Sequence, residues 1–240
     1  IVSSEIKLDT TGANRLIRGI TLTERSKKRW PYFLKIEEIQ VSVFLHLISE
    51  ISPIRFFDIG ANVGFYTLIA QKYFPELRCF AFEPTPDTFS NLADNVRSNR
   101  KEGQADVFQI ALSSKRGTAE FGDFGDCSGK NAILSTSIHA EEGIKKRALV
   151  STETLDSLYS EKQGRVIVKL DTEGHEIEVL KGGRNFFTEN EVVLQVETGH
   201  KDNTSDLEAL IKTYSLNLLF RLGPDSYYTN ISSLLIHSTL

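Results

Sequence analysis

The chain has 240 residues, 28 basic and 32 acidic, for a formal charge of −4, with 40% hydrophobic and 25% charged residues. That composition excludes collagen-like, coiled-coil and disordered chains, and the length allows one large domain or two small ones, either with a real core. A pI near 5.8 argues against binding built mainly on nucleic-acid phosphates, and the lack of any run of about 18 apolar residues argues against a membrane span.

Residues 1–33 carry Arg15, Arg18, Arg25, Lys27, Lys28 and Arg29 and read either as a solvated basic arm or as a lid touching an anionic group. Lys35–Ser49 has helical spacing, with Ile36, Ile39, Val43, Leu47 and Ile48 on one face, and Pro53 ends the pattern. A regular alternation follows. Ile54–Ile59 is a buried strand, Asn62–Phe74 a helix and Leu77–Phe82 a second strand. Thr85 is placed to cap, and Pro86 to open, a helix carrying Phe89, Leu92 and Val96 inward. Asp106–Ala111 is a third strand. Strands separated by helices at this spacing predict a parallel α/β sheet.

Residues 112–164 change character. Gly117, Gly122, Gly125 and Gly129 interrupt any long element, Thr118–Phe121 and Ala148–Thr152 are short strand candidates, and Thr154–Leu158 is one helical turn. Asp123–Ser137 is the best candidate for a mobile loop over a site. The alternation then resumes with a strand at Arg165–Leu170, a helix at Glu176–Phe187 broken near Gly182-Gly183, a strand at Val192–Val196 and a helix at Ser205–Tyr214. Leu216–Arg221 and Tyr228–Ile236, joined by Gly223-Pro224-Asp225, are expected to be antiparallel neighbours.

The most informative segment is Phe57-Asp58-Ile59-Gly60-Ala61-Asn62-Val63-Gly64-Phe65-Tyr66-Thr67, between a strand and a helix. Gly60 permits a tight turn and close approach to a ligand, and Gly64 removes a side chain where elements or ligand meet. A dinucleotide fingerprint requires G-x-G-x-x-G, but Asn62 and Phe65 stand at its second and third glycines. Asp58 suits a cation better than a pyrophosphate. S-adenosylmethionine carries an ammonium and a sulfonium and no phosphate. Glu83, ending the second strand, is placed to accept hydrogen bonds from both ribose hydroxyls of an adenosine.

Asp58–Thr67 resembles the first motif of class I S-adenosylmethionine-dependent methyltransferases. Val168-Lys169-Leu170-Asp171-Thr172-Glu173-Gly174-His175-Glu176, continuing to Val179-Leu180-Lys181-Gly182, is similar to the signature of the FkbM-type family, and Thr154-Leu155-Asp156 and Leu194-Gln195-Val196-Glu197 also fit. The resemblance runs from about residue 54 to 236. It implies a Rossmann-like α/β sheet of seven mostly parallel strands with helices on both faces and an antiparallel last strand. It also implies transfer of a methyl group to a hydroxyl of a sugar, glycan or polyketide-type natural product. By position, Asp58 and Gly60 would face the methionine part, Asn62 and Gly64 the turn, Glu83 the ribose, and Ala111 and Leu112 the adenine. Ser113 or an acid in the 123–126 loop would reach the adenine amino group.

On the acceptor side, Asp171, Glu173 and His175 follow the fourth strand, while Glu197 and His200 follow the fifth. The ligand crevice of an open α/β sheet lies at these strand ends. A sugar hydroxyl needs its proton removed, so His175 or His200 is the expected base, with Asp171 orienting the acceptor. Glu173 has the alternative of capping the next helix. A divalent metal on Asp171, Glu197 and His200 is the competing arrangement, although no His-x-His or paired-Asp spacing demands one. Lys169, inside an apolar strand, should reach Asp58 or Asp171.

Cys79 reads as core and Cys127 as exposed, while Trp30 reads as a docking anchor or an acceptor-stacking face. Matches to N-x-S/T at Asn203 and Asn230 are weak without a secretory signal, and the expected compartment is the cytoplasm. The chain contains no Met, so Ile1 is read as other than a translation start. The resulting organisation is an N-terminal extension over residues 1–50, acting as a lid or acceptor-side cover, and a methyltransferase domain over 51–240. The partner is a small-molecule or glycan acceptor rather than nucleic acid. A nicotinamide-dependent oxidoreductase and a non-catalytic cofactor-binding module are the competing readings.

Overall fold

Phe56 and Phe57, adjacent in sequence, are both fully buried but in different layers, because alternate residues of a strand point to opposite faces of its sheet. The computed structural model describes residues 19–99, 105–125, 127–137, 139, 142–198 and 204–236. In chain order the elements are α1 (Glu24–Ile51), β1 (Arg55–Ile59), α2 (Phe65–Tyr73), β2 (Arg78–Phe82), α3 (Pro86–Asn99), β3 (Ala105–Phe108), β4 (Ala111–Leu112), β5 (Gly117–Asp123), β6 (Ala132–Ile133) and β7 (Lys146–Glu153). There follow α4 (Leu155–Leu158), β8 (Arg165–Leu170), α5 (Glu176–Gly182), α6 (Arg184–Glu189), β9 (Glu191–Glu197), α7 (Thr204–Thr213), β10 (Asn217–Leu222), β11 (Asp225–Thr229) and α8 (Ser232–Ile236).

Seven strands form the main sheet in the order β10-β11-β9-β8-β1-β2-β3. Its pairs are parallel except for β11, which is antiparallel to both β9 and β10. The expected mostly parallel α/β architecture with an antiparallel last strand is therefore present. Val41, Phe44 and Ile48 of α1 and Tyr66 and Ile69 of α2 pack with Phe56, Cys79, Ile167 and Val193 on one face. Leu180, Phe186, Leu207 and Ile211 of α5 to α7 pack with Phe57, Phe80, Val168 and Leu194 on the other. Burying each such side chain stabilises the fold by about 1.5–3 kcal/mol. The chain after β3 forms a second sheet, ordered β4-β7-β5-β6.

Several boundaries differ from expectation. The helix read as Lys35–Ser49 begins at Glu24, capped by the Thr23 hydroxyl, which accepts from the Ser26 N–H. Pro31 lies inside it, so the basic stretch from Arg25 to Arg29 is helix rather than arm. The buried face of α1 belongs to the sheet's own core. Arg15 and Arg18 lie outside the described residues. The first glycine turn delays the helix after β1 from Asn62 to Phe65. The third strand divides after Phe108, and Ala111-Leu112 pairs with β7 in the second sheet. Two strands at 118–121 and 148–152 lengthen into the paired β5 and β7. The last strand begins earlier, at Asp225, and ends at Thr229. There Asn230 turns its side chain to the Val192 N–H and the Asn190 carbonyl, and 232–236 is helix rather than strand. Helix α3 starts at Pro86, and the Thr85 carbonyl accepts from the Phe89 N–H, but the Thr85 hydroxyl makes no capping bond. The break at Gly182-Gly183 divides α5 from α6 as the glycines suggested. Cys79 is fully buried as expected, whereas Cys127 is buried rather than exposed. Asn203 and the side chain of Trp30 fall outside the described residues.

Candidate active site

Strand register brings the site together. Asp58 pairs with Lys169, Lys169 with Gln195, and Gln195 with Tyr227, so these four lie in one row on the face covered by α1 and α2. One pleat further toward the strand ends stand Asp171, Glu197 and Asp225, the last two a register pair. Chain order runs outward in opposite directions from β1 and β8, which makes this edge the topological switch point where open α/β sheets bind ligands. A cavity of about 430 Å³ opens there.

One half of the cavity is the turn after β1. Gly60 has φ +82°, and a Cβ on it would lie 1.8 Å from the Asp171 carbonyl oxygen, so the close approach of β8's end demands glycine there. Gly64 has φ +88° and starts α2, and its missing side chain makes room for Leu92 of α3. Gly64 thus shapes the turn without lining the cavity. Asn62 also has positive φ, donates its backbone N–H to Glu83 Oε2 at 3.1 Å, and ties its amide to the Ser128 carbonyl at 3.2 Å. The Thr85 N–H donates to Glu83 Oε1 at 2.8 Å. Burial nevertheless pushes Glu83 up to about 7, against these hydrogen bonds. Asp58 is buried with Oδ2 accepting from the Thr67 N–H at 3.1 Å and hydroxyl at 2.6 Å, and burial raises its pKa against the pull of Lys169. Ala111 and Leu112 join Phe82, Ile110, Phe121 and Ile133 in an apolar wall beside Glu83. Of the groups expected to reach an adenine, the Ser113 hydroxyl is 3.0 Å from His175 Nε2, and Asp123 accepts from the Gly125 N–H in a local turn. Asp126 lies outside the described residues.

The other half is acidic. Lys169 is 5% exposed, and its Nζ donates to Asp171 Oδ2 at 2.7 Å while lying 4.8 Å from the Tyr66 ring centroid. Of its two expected partners it therefore chooses Asp171. Carboxylate oxygens of Asp171, Glu173 and Glu197 lie within 4.8 Å of one another. Burial, then the neighbouring acids, raises Glu173 and Glu197 well above the usual carboxylate range. Glu173 has φ +57° and meets His139 Nε2 at 2.7 Å. It does not cap α5. Glu176 Oε1 instead ties the turn before that helix, accepting from the Thr172 and Gly174 N–H groups and the Thr172 hydroxyl, and the N-cap residue His175 makes no side-chain capping bond. His175 is buried, and its ring nitrogens stand 2.7 Å from the Thr136 hydroxyl and 3.0 Å from the Ser113 hydroxyl. Burial lowers its pKa. This geometry makes His175 a brace between the covering loop and β4, with both nitrogens engaged. His200 lies outside the described residues; among those described, Asp171, Glu173 and Glu197 come together. These three carboxylates are the set that could hold a divalent cation, although the Lys169 ammonium already meets Asp171.

Sequence reasoning missed three contributors. His139 sits just beyond the loop Asp123–Ser137 that was expected to cover the site, and extending that loop by two residues would have found it. Glu37 and Gln40 of α1 line the cavity beside Arg29 and Phe33. Burial pushes Glu37 up to about 7, while Lys169 and the facing Tyr66 hydroxyl draw it back.

Among the described residues no helix is long and apolar enough to cross a membrane. Residues 58–222 match the Methyltransferase FkbM domain. The hexuronic acid methyltransferase AglP of Haloferax volcanii is 32% identical over 143 residues, covering 59% of this chain and 55% of that protein. The 31-O-demethyl-FK506 methyltransferase FkbM of Streptomyces tacrolimicus is 30% identical over 122 residues, covering 51% and 44%. The chain thus spans about half the length of these curated relatives. A crystal structure of methyltransferase FkbM from Methylobacillus flagellatus superposes with a TM-score of 0.54 at 12% identity, covering 92% of this chain and 58% of that one, which supports the fold. With the domain match running from the Asp58 turn through both acidic strand ends, the chain belongs to the FkbM methyltransferase family.

Proposed function

We propose that the chain is an S-adenosylmethionine-dependent O-methyltransferase acting on a hydroxyl of a sugar or related natural product. The observation that carries this reading is the composition of the cleft. Glu83 stands beside an apolar wall at Ala111 and Leu112, while Asp58 and the Gly60–Asn62 turn lie at the switch point. Carboxylates dominate where a dinucleotide would need room for phosphates, so the donor set suits a cationic adenosine derivative. The nicotinamide reading has no support from the relatives, which are named methyltransferases.

When bound, S-adenosylmethionine supplies a methyl group already activated by its sulfonium. Glu83 would accept from the ribose hydroxyls, Ala111 and Leu112 would flank the adenine, and Asp58 and Gly60 would face the methionine part, with Asn62 and Gly64 holding the turn. On the acceptor side Asp171, fixed by Lys169, orients the hydroxyl, and Glu197 lies beside it. Glu173 takes the hydroxyl proton. It holds a proton more tightly than an ordinary carboxylate, and His139 pairs with it from the covering loop. His175 positions that loop through Thr136.

The test is binding and turnover together. S-adenosylhomocysteine should raise the melting temperature, and labelled methyl should pass to a hydroxylated acceptor. Unchanged melting at saturating cofactor would count decisively against the proposal.

A further inference from the structure

Arg29, Phe33 and Glu37 of α1 line the cavity together, four residues apart, the spacing that puts side chains on one helix face. All three precede residue 58, where the family match begins. Phe33 stacks on Phe65, the first residue of α2, with ring centroids 5.3 Å apart. The Arg29 guanidinium carbon sits 5.3 Å from the centre of the Phe33 ring. Two aromatic rings therefore tie the guanidinium to the start of α2, and the positive end of that helix's dipole lies there as well. The covering loop reaches the same place. A Cβ on Gly129 would lie 3.6 Å from Arg29 Nη2 and 3.7 Å from Glu173 Oε1, so both side chains approach one point of that loop.

S-adenosylmethionine brings one group that the cofactor residues above leave unmatched. Its methionine part is a zwitterion, with a carboxylate beside the ammonium. Asp58 and Glu83 are acids and Ala111 and Leu112 are apolar, so none of them pairs with an anion. The glycine turn does not serve either, because its N–H groups are spent within the protein. Those of Gly60 and Ala61 go to the Phe82 carbonyl, that of Asn62 to Glu83, that of Val63 to Asn62 Oδ1 and that of Gly64 to the Ala61 carbonyl. Among the described residues the cations lining the cavity are Arg29, Lys130 and Lys169, with His139 when protonated. Lys169 is buried and donates to Asp171, and His139 meets Glu173. Lys130 is exposed on the covering loop, where water screens it. Arg29 is half-buried on a helix, and a guanidinium can take a carboxylate through two parallel hydrogen bonds while its face rests on an aromatic ring.

We propose that Arg29 is the carboxylate anchor of the cofactor, pairing its guanidinium with the methionine carboxylate of S-adenosylmethionine and so fixing the donor against the turn after β1. This inference rests on the methyltransferase reading above and deepens it, because a residue outside the family-matched segment then completes the cofactor site. It also gives cofactor binding a reach across the cavity. The bound carboxylate holds α1 at the point where the covering loop and Glu173 converge, so donor, cover and acceptor-side carboxylate assemble around one guanidinium.

The experiment is calorimetric titration of the full chain with S-adenosylhomocysteine and with its decarboxylated analogue, which keeps the adenosine, thioether and ammonium and lacks the carboxylate. Wild type should bind S-adenosylhomocysteine about tenfold or more tighter than the analogue. Arg29→Gln should weaken S-adenosylhomocysteine about tenfold or more and leave the analogue within about twofold, erasing the preference. Arg29→Lys, which keeps the charge and loses the fork, should retain part of the preference, and it carries the test if Arg29→Gln fails to fold. Lys130→Gln should keep the preference within about twofold of wild type. Equal weakening of both ligands by Arg29→Gln would make Arg29 a structural residue and overturn the inference. So would an Arg29→Gln or Arg29→Lys variant with the full wild-type preference, loss of the preference in Lys130→Gln instead, or wild type that binds the two ligands equally. Wild type that binds neither ligand overturns the methyltransferase reading itself.

Discussion

His139 meets the Glu173 carboxylate at 2.7 Å across 34 residues of chain, joining the loop over the cavity to the end of β8. Glu173 reaches that position through a left-handed backbone conformation, uncommon outside glycine. Burial and the charges of Asp171 and Glu176 make it a stronger proton holder than a free glutamate. A base must be deprotonated to act, so kcat/KM, which reports the free enzyme, should rise with pH, with a midpoint near 8. Glu173→Gln should lower kcat by about 10²- to 10⁴-fold and remove that limb, while His139→Asn shifts it with a smaller loss. Stopped-time methyl-transfer assays between pH 6 and 10 read both effects, and a Glu173→Gln variant that keeps the wild-type profile would move the base elsewhere.

Glu83 is held by two backbone N–H groups and faces the apolar wall at Ala111 and Leu112. Glu83→Ala should weaken S-adenosylhomocysteine binding by about tenfold or more and shrink its thermal shift at a fixed ligand concentration. Asp171→Asn should leave that shift intact and stop turnover. Differential scanning fluorimetry with and without ligand distinguishes the two variants.

Lys169 is the countercharge for a cluster of buried acids. Replacing it by Met leaves Asp171, Asp58, Glu37 and Asp225 without their shared cation. Removing one partner of a buried ion pair costs about 3–5 kcal/mol. Lys169→Met should therefore lose stability of that order at pH 8 and recover part of it at pH 5, where the acids protonate. Urea unfolding at the two pH values measures the difference.

The same acids predict how the unliganded protein responds to pH. Burial raises Glu37 and Glu83 in the folded protein to about 7, from the ordinary 4.5 of a free glutamate. A carboxyl with a raised folded pKa contributes stability that is complete below its unfolded pKa and is lost as pH rises through the folded one. The unliganded protein should thus lose melting temperature between pH 4.5 and 7 from these two groups, and Glu37→Gln should flatten part of that decline. A melting temperature that climbs steadily over this range would contradict the assignment of these groups as buried and undercompensated.

Much of the site was legible along the chain because short stretches carry it. The Asp58–Gly64 turn is read from adjacent residues, and its glycines are enforced by local backbone geometry and close contacts. The acids at Glu83, Asp171 and Glu197 announce themselves as the polar ends of apolar runs. Other features depend on distance. His139 has no periodic neighbour to mark it and becomes a site residue only because the second sheet turns its loop over β8. His175 looked like a base in sequence, yet Ser113 and Thr136 engage both ring nitrogens from two other elements. Glu37 lay in a helix whose apolar stripe was visible, but a stripe says which face is buried and nothing about what the adjoining residues meet.

The order of the main-sheet elements, the parallel sheet, the glycine turn after β1 and the acidic strand ends followed from the sequence alone, because hydrophobic periodicity and turn chemistry act over a few residues. Only the tertiary structure decided which acid Lys169 neutralises, which histidine joins Glu173, and that α1 forms a wall of the cavity. Those outcomes depend on strand register and on helix packing across the sheet, where groups far apart in the chain come within hydrogen-bonding distance and burial sets their charge.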